Sequence, residues 1–418
     1  MPHSASPQTC PRPVGIEKIW AYPGRQSLVL EDLALARDHD PADIHDNLLL
    51  RSRSVTPLWE DPVTMAVNAA NPMLTEEDRA SIELIIVASE SGVDQGKSMS
   101  TFAQHYLGIQ RNCRNFESKH ACHAGTSAVM MAAHWVASGL NGDAKALVIA
   151  TDHSRMSLHE PYEYVMGAGS VALLISNNPR VLAFEMEHNG FWTSHCFDTF
   201  RPTSRVETGN GETSLYCYLD ALEGSYAHFL SKAGPVDFDT YFKKNIYHVP
   251  FGGITFQAHR TLLRQWRRMK KSEALEHFER KSKPGLKYNS QTGSTYSGST
   301  FFALMGMIDS CQDLQAGDRI SIFSYGSGSC GEFYSGIVGP DARELVAAAR
   351  LQELLDARRP MTVEEYERTE MERFENIDNG NFTPETGGYG GLFESHYRGK
   401  GLLTLKGIKD HYREYDWS

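Results

Sequence analysis

A cysteine, a glutamate and a histidine stand where elements of this chain are expected to end, and element ends are where side chains converge on a reacting centre. Cys122 closes the polar approach Phe116-Glu-Ser-Lys-His-Ala-Cys122, and small residues and an apolar run to Trp135 follow at helical spacing. That pattern seats a thiol at or just before the first turn of a buried helix. Unpaired backbone N–H groups and the positive end of the helix dipole favour a thiolate there. Gly125, Thr126, Ser127 and Ala128 leave room for a second chain segment, or an acyl group, to approach the sulfur. The competing explanation is a cysteine used as a small buried hydrophobe. Glu90 ends the apolar run Ile82 to Ser89, and His248 ends the run Phe238 to Tyr247. Taken singly, the glutamate reads as a solvated loop acid and the histidine as a satisfied core imidazole. Taken together, nucleophile, acid/base and polar partner are the set that covalent catalysis needs. The run Phe323-Ser-Tyr-Gly-Ser-Gly-Ser-Cys330 lacks a phosphate-loop or dinucleotide spacing. It reads as a tight turn presenting N–H groups to an acyl oxygen, or as a plain Gly/Ser turn.

The elements that must position these residues occur twice. Val14–Tyr22 alternates as a strand, residues 27–50 read as helical, and Asp61-Pro62 opens a small-residue helix. Ile82–Ser89 and Ala144–Asp152 are short β-branched runs expected to form buried strands, residues 95–108 a helix, and Gly167–Ser176 a further strand. After a less regular stretch over 177–235, with a helix over 215–233, the order returns. Phe238–His248 stands for the first central strand and Gly298–Ile308 for the Cys122 helix. Arg319–Ser324 and Gly331–Val338 stand for the closing strands. The expected fold is α/β, two similar halves, 14–176 and 236–418, with sheets sandwiched between helices and joined by 177–235. A charged helix to Asp356, a second over 362–377, a glycine loop at 387–391 and a strand over 402–408 are expected at the end. Residues 1–13 read as a disordered tail.

A net charge of -11 argues against general nucleic-acid binding, and no apolar run is long enough to span a bilayer. The first residues lack the apolar core of a secretory signal. Seven irregularly spaced cysteines suggest neither a disulfide framework nor a structural metal site, and fit a reducing, cytoplasmic setting.

The runs Val87-Ala-Ser-Glu90-Ser, Glu117-Ser-Lys-His-Ala-Cys122, Phe200-Arg-Pro-Thr, Tyr247-His248-Val-Pro-Phe and Phe323-Ser-Tyr-Gly-Ser-Gly-Ser occur in that order. Together they resemble the 3-hydroxy-3-methylglutaryl-CoA synthases of the thiolase superfamily. The run from Tyr247 to Arg260 is most similar to the branch that serves polyketide synthases and draws acyl groups from acyl carrier proteins. The resemblance implies that Cys122 takes an acetyl group and that Glu90 removes a proton from its methyl group. It implies that His248 holds the acceptor, and that Tyr325, Gly326 and Ser327 bind the acceptor and its developing oxyanion. Tyr247, Ser294, Tyr296 and Arg260 are the further substrate contacts it suggests. It further implies a thiolase-like duplicated αβαβα fold, phosphopantetheine-linked acyl substrates and no need of a metal or redox cofactor, and such folds lead one to expect a homodimer.

One position departs from the family. Its usual Gly-Asn-x-Tyr run reads Gly293-Ser294-Thr295-Tyr296 here, and a serine donates one hydrogen bond where an amide donates two. Three alternatives therefore stay open: the mevalonate enzyme using CoA thioesters, a decarboxylating ketosynthase III type, and a homologue that binds carriers without turnover. His259, Arg260, Arg264, Arg267, Arg268, Lys270, Lys271, Arg280, Lys281, Lys283 and Lys287 form a basic stretch. It reads either as a docking surface for an acidic carrier protein or as a salt-bridged helical face.

Overall fold

A computed structural model describes residues 12–418, so most of the expected tail lies outside the described residues. The ten strands of the main sheet are β1 Gly15–Tyr22, β2 Ile82–Ala88, β3 Arg114–Ser118, β4 Lys145–His153, β5 Ala168–Ser176, β6 Leu182–Phe184, β7 Gly190–Thr193, β8 Lys244–Tyr247, β9 Arg319–Gly326 and β10 Cys330–Val338. Their order is β8-β9-β10-β6-β1-β5-β4-β2-β3, with β7 paired to β10. In the first half β2 runs parallel to β3 and β4, and β5 returns antiparallel to β4. In the second half β8 and β9 are parallel and β10 returns antiparallel. The duplication read from element order is present in strand direction as well.

The period-two alternation of the strands sorts them into layers. Leu84 and Ile86 of β2 and Ile320 and Ile322 of β9 face one common cluster, shared with α2 (Ala124–Ala137) and α5 (Ser299–Ser310). Ile85 and Val87 face the other way, onto α1 (Pro62–Ala70). Phe323 and Tyr325 face α3 (Gly211–Ala233) and α4 (Gly252–Trp266). Two helices therefore sit between the halves of the sheet and further helices cover each outer face, which is the five-layer arrangement. In α5 every residue from Ser299 to Ile308 is buried, as befits a helix with sheet on both sides. Each such aliphatic side chain contributes about 1.5–3 kcal/mol through burial.

Local signals placed several elements correctly. Asp61 caps α1 by accepting from the N–H groups of Val63 and Thr64, both at 3.0 Å, with Pro62 in the first turn. Others differ. The stretch 27–50 is not one helix: Gln26–Val29 is a strand in a small sheet with Ser52–Ser54 and Arg359–Met361, followed by short helical pieces. The run Phe238–His248 is not one strand either. Asp237 accepts from Thr240 N–H and caps a helical turn at Phe238–Tyr241, so only Lys244–Tyr247 enters the sheet. The charged helix after Asp341 breaks at Arg350, which has a positive φ of 48°. The closing strand is half of a hairpin, Leu403–Lys409 with Tyr412–Trp417. The segment 177–235 supplies β6, β7 and α3, all packed on β10.

Candidate active site

Glu90 follows β2 and Asp152 lies near the end of its parallel neighbour β4, so two carboxylates emerge side by side at one edge of the sheet. Asp152 is fully buried. Its Oδ1 accepts from Glu90 N–H (2.9 Å), Ser89 Oγ (2.9 Å) and Ser91 Oγ (2.7 Å), and its Oδ2 accepts from the N–H and hydroxyl of Ser297. This clamp holds the Glu90 backbone and ties it to the turn before α5 of the other half. The Cys122 thiol donates to Glu90 Oε2 at 3.5 Å. Burial raises the Glu90 carboxyl to about 7 against the pull of Arg201, with Asp152 and Glu207 adding to the rise. The expected thiolate does not form in this state. Burial, followed by the carboxylates of Glu90 and Asp152, pushes the Cys122 thiol well above its ordinary value. Desolvation and anionic neighbours outweigh the helix dipole. A thiol hydrogen-bonded to a carboxyl poised near neutrality has its proton acceptor in place.

The small residues after Cys122 serve packing. A Cβ on Gly125 would stand 2.2 Å from the carbonyl oxygen of Ser297, so this glycine lets the start of α2 meet the turn before α5. A Cβ on Gly326 would stand 2.4 Å from the carbonyl oxygen of His120, so the glycine turn crosses directly over the Cys122 loop. His123 pins that loop from below, its Nδ1 sharing a 2.9 Å hydrogen bond with Ser324 Oγ.

His248 enters from the second half. Its N–H donates to Phe323 O at 2.7 Å, continuing the β8–β9 ladder, and Tyr218 OH donates to its carbonyl at 2.9 Å. Burial lowers its imidazole to about 3, so the ring is neutral. Ser299 Oγ lies 2.8 Å from Nδ1 and accepts from Val249 N–H at 3.4 Å. In the tautomer in which the serine hydroxyl donates to Nδ1, Nε2 carries the N–H and can donate to an oxygen.

The remaining expected contacts divide. Tyr325 OH donates to Asp198 Oδ2 at 2.6 Å and Gly328 N–H donates to Asp198 Oδ1 at 2.8 Å, so Asp198 shapes the glycine turn that also carries half-buried Ser327. Tyr296, at φ 47°, donates to Glu207 Oε1 at 3.2 Å. Ser294 Oγ accepts from Tyr296 N–H at 3.3 Å, so it holds the Tyr296 turn. Tyr247 and Arg260 are not brought to this group. Tyr247 lies in the aromatic cluster with its OH against His259 Nδ1 at 2.9 Å, because alternation along β8 turns it away from His248. Arg260 donates to Gln257 Oε1 at 2.8 Å, three residues back along α4.

Three groups were missed. Arg201 pairs with Glu90 Oε1 at 3.0 Å and Glu207 Oε2 at 2.8 Å, donates to Ser91 Oγ at 2.8 Å, and lies over the Tyr296 ring. It belongs to the run Phe200-Arg-Pro-Thr, and that run was the available signal. Asp152 could have been found from its place at the end of a strand adjacent to β2. Glu207, in an irregular segment, carried no signal.

Comparison with known proteins bears on this arrangement. The C-terminal model of hydroxymethylglutaryl-coenzyme A synthase matches residues 259–416. The polyketide biosynthesis 3-hydroxy-3-methylglutaryl-ACP synthase PksG of Bacillus subtilis is 37% identical over 420 residues, covering 96% of this chain and 99% of that protein. The chain belongs to the hydroxymethylglutaryl synthase family. The hydroxymethylglutaryl-CoA synthase of Enterococcus faecalis is 31% identical over 85% of the chain and 90% of its own length. The curacin-pathway HMG synthase, solved in complex with apo donor-ACP, superposes with a TM-score of 0.92 at 39% identity, covering 97% of this chain and all of that one. Hydroxymethylglutaryl synthases are condensing acyltransferases.

Proposed function

We propose that this synthase takes an acetyl group from an acyl carrier protein onto Cys122 and condenses it with the β-keto group of a carrier-bound polyketide thioester, installing a β-branch. Cys122 sulfur attacks the donor thioester as Glu90 takes its proton, and the phosphopantetheine thiol leaves. Glu90 then removes a proton from the acetyl methyl group, and the enolate carbon adds to the acceptor ketone. The new alkoxide is met by the Nε2–H of His248 and by N–H groups of the Tyr325–Ser327 turn. Hydrolysis frees Cys122. The observation that carries this reading is the 3.5 Å contact between Cys122 and a Glu90 carboxyl raised to about 7, since one group can then deprotonate a weak carbon acid and return the proton.

A carrier protein, rather than CoA, is favoured by the relatives named for ACP chemistry, and the basic surface, which could also take the 3′-phosphate of CoA, suits it. Within the basic stretch Lys281 is buried, and Lys283 and Lys287 pair with Glu279 and Asp309. Arg264, Arg267, Arg268, Lys270 and Lys271 remain exposed, a compact cationic strip suited to an acidic carrier. The reading includes the halves 14–176 and 236–418 as the scaffold, a cytoplasmic setting and a homodimer; β3 ends the sheet, with Phe116 exposed on it. Intact-mass measurement with acetyl-carrier and acetyl-CoA as competing donors tests the proposal. The wild type should gain one acetyl group, faster from the carrier. Cys122→Ala should gain none, and Glu90→Gln should be acetylated without condensing. No mass gain in the wild type would overturn the mechanism, and preference for CoA would move it to the mevalonate type.

A further inference from the structure

Behind Arg201 stands a second buried guanidinium with almost nothing to hold it. Arg155, two residues past β4, is 5% exposed. Its Nη1 meets His153 Nε2 at 3.1 Å, its Nε has no partner, and among the described residues it forms no ion pair. His153 Nδ1 faces the Ser154 carbonyl at 3.0 Å and must carry the ring proton there. The imidazole is therefore neutral and offers Arg155 a lone pair but no charge. Burial, followed by Arg155, Arg373 and Arg201, lowers His153 well below its usual value, which keeps it so.

Other buried arginines show how unusual this is. Arg53 reaches Glu163 O, Tyr366 OH and Ser154 Oγ, and Arg358 reaches Leu355 O, Ser54 Oγ, Gln291 O and Ser52 Oγ. Arg201 holds two carboxylates. Arg155 has one neutral partner, although an unpaired buried charge is costly. Its setting adjoins the active site: the carbonyl of His153, the residue it meets, accepts from Ser91 Oγ at 3.1 Å and from Arg201 Nη1 at 3.4 Å. Arg201, Glu207, Tyr296, Asp152 and Asp378 are among the ionisable groups that act on it.

The reaction creates one anion in this space. Water adds to the thioester carbonyl on Cys122, the carbon–sulfur bond breaks, sulfur keeps one water proton as the thiol, and the second passes to Glu90. The acyl carbon leaves as a carboxylate. Arg201 is already engaged with Glu90 and Glu207. We propose that Arg155 is the receptor for this product carboxylate, drawing it away from Cys122 and from the carboxylates around the thiol. The inference rests on the synthase reading above.

The probe is 3-hydroxy-3-methylbutanoate, the acid end of the product, with its uncharged primary amide as control. Protection of Cys122 from iodoacetamide reports occupancy beside the thiol without needing turnover. The wild type should be protected at least tenfold more effectively by the acid than by the amide. Arg155→Gln should lose that preference, and Arg155→Lys should retain most of it. No preference in the wild type, which needs no folded variant, overturns the proposal; so does an undiminished preference in Arg155→Gln. Acetylation measured on the same samples separates the two levels. If the wild type is not acetylated, the synthase reading fails; if wild type and Arg155→Gln acetylate alike with equal charge preference, only the Arg155 assignment fails.

Discussion

Replacing Arg201 with glutamine tests whether the acid/base character of Glu90 is set by its cation. In the structure Arg201 lies 3.0 Å from Glu90 and 2.8 Å from Glu207, and its pull against burial leaves the Glu90 carboxyl at about 7. A unit charge at 3 Å with an effective dielectric of 20 amounts to about 5 kcal/mol. Water entry and side-chain relaxation remove much of this, so a net effect of about 2–3 kcal/mol is expected, close to two pH units at 1.36 kcal/mol each. The sign follows from charge: without the cation, Glu90 sits among Asp152 and Glu207 and binds its proton more tightly. The base form required for enolisation then appears two pH units higher. At pH 7 its population falls from about half to about one in a hundred, slowing condensation roughly 50-fold, and the loss is recovered near pH 9. Single-turnover condensation from pre-acetylated enzyme, followed by intact mass from pH 5.5 to 9.5, reads this directly. An acidic limb in Arg201→Gln that coincides with the wild type, or lies below it, would refute the reasoning. So would a uniform loss that high pH does not restore.

Three further outcomes follow from the geometry. Ser299→Ala removes the hydroxyl bonded to His248 Nδ1 and a partner of Val249 N–H; condensation should slow about tenfold while acetylation of Cys122 is unchanged, measured by mass in the two half-reactions. Gly125→Ala forces a Cβ to within 2.2 Å of Ser297 O at the junction of α2 and α5; a loss of about 1–3 kcal/mol is expected in denaturant unfolding. Glu332, buried in β10 and accepting from Asn189 Nδ2 at 3.0 Å, has its carboxyl raised by burial to about 8. Its contribution is fully present below its unfolded value of about 4.3 and is lost as pH rises through about 8. Stability should therefore decline across that window, and Glu332→Gln should flatten the decline in thermal melts at successive pH values.

Alternation in β1, the continuous apolar runs of β2 and β4, the Asp61-Pro62 cap and the repeated element order made the layered α/β plan legible along the chain. These signals are local: they depend on side-chain period and on one or two residues that satisfy nearby N–H groups. The positions of Glu90 and His248 after strands and of Cys122 before a helix were legible for the same reason. The helical turn at Phe238–Tyr241 was missed because Asp237 reaches only three residues ahead and cuts an apolar run that otherwise looks like one strand. Tyr247 was misplaced although the rule was available, since neighbours on a strand point to opposite faces.

What the amino-acid order determined by itself was a set of candidate reactive groups and the scaffold that carries them. What only the tertiary structure decided was their electrostatic state. Whether Cys122 rests as thiol or thiolate, whether Glu90 sits near 7, and which nitrogen of His248 bears the proton all depend on Asp152, Arg201, Glu207 and Ser299. Those partners come from segments as much as 209 residues apart, between Glu90 and Ser299. Charge interactions act through space and grow as water is excluded, so they come into being only when the two halves close on each other. Sequence spacing alone does not record which charges end up within a few ångströms.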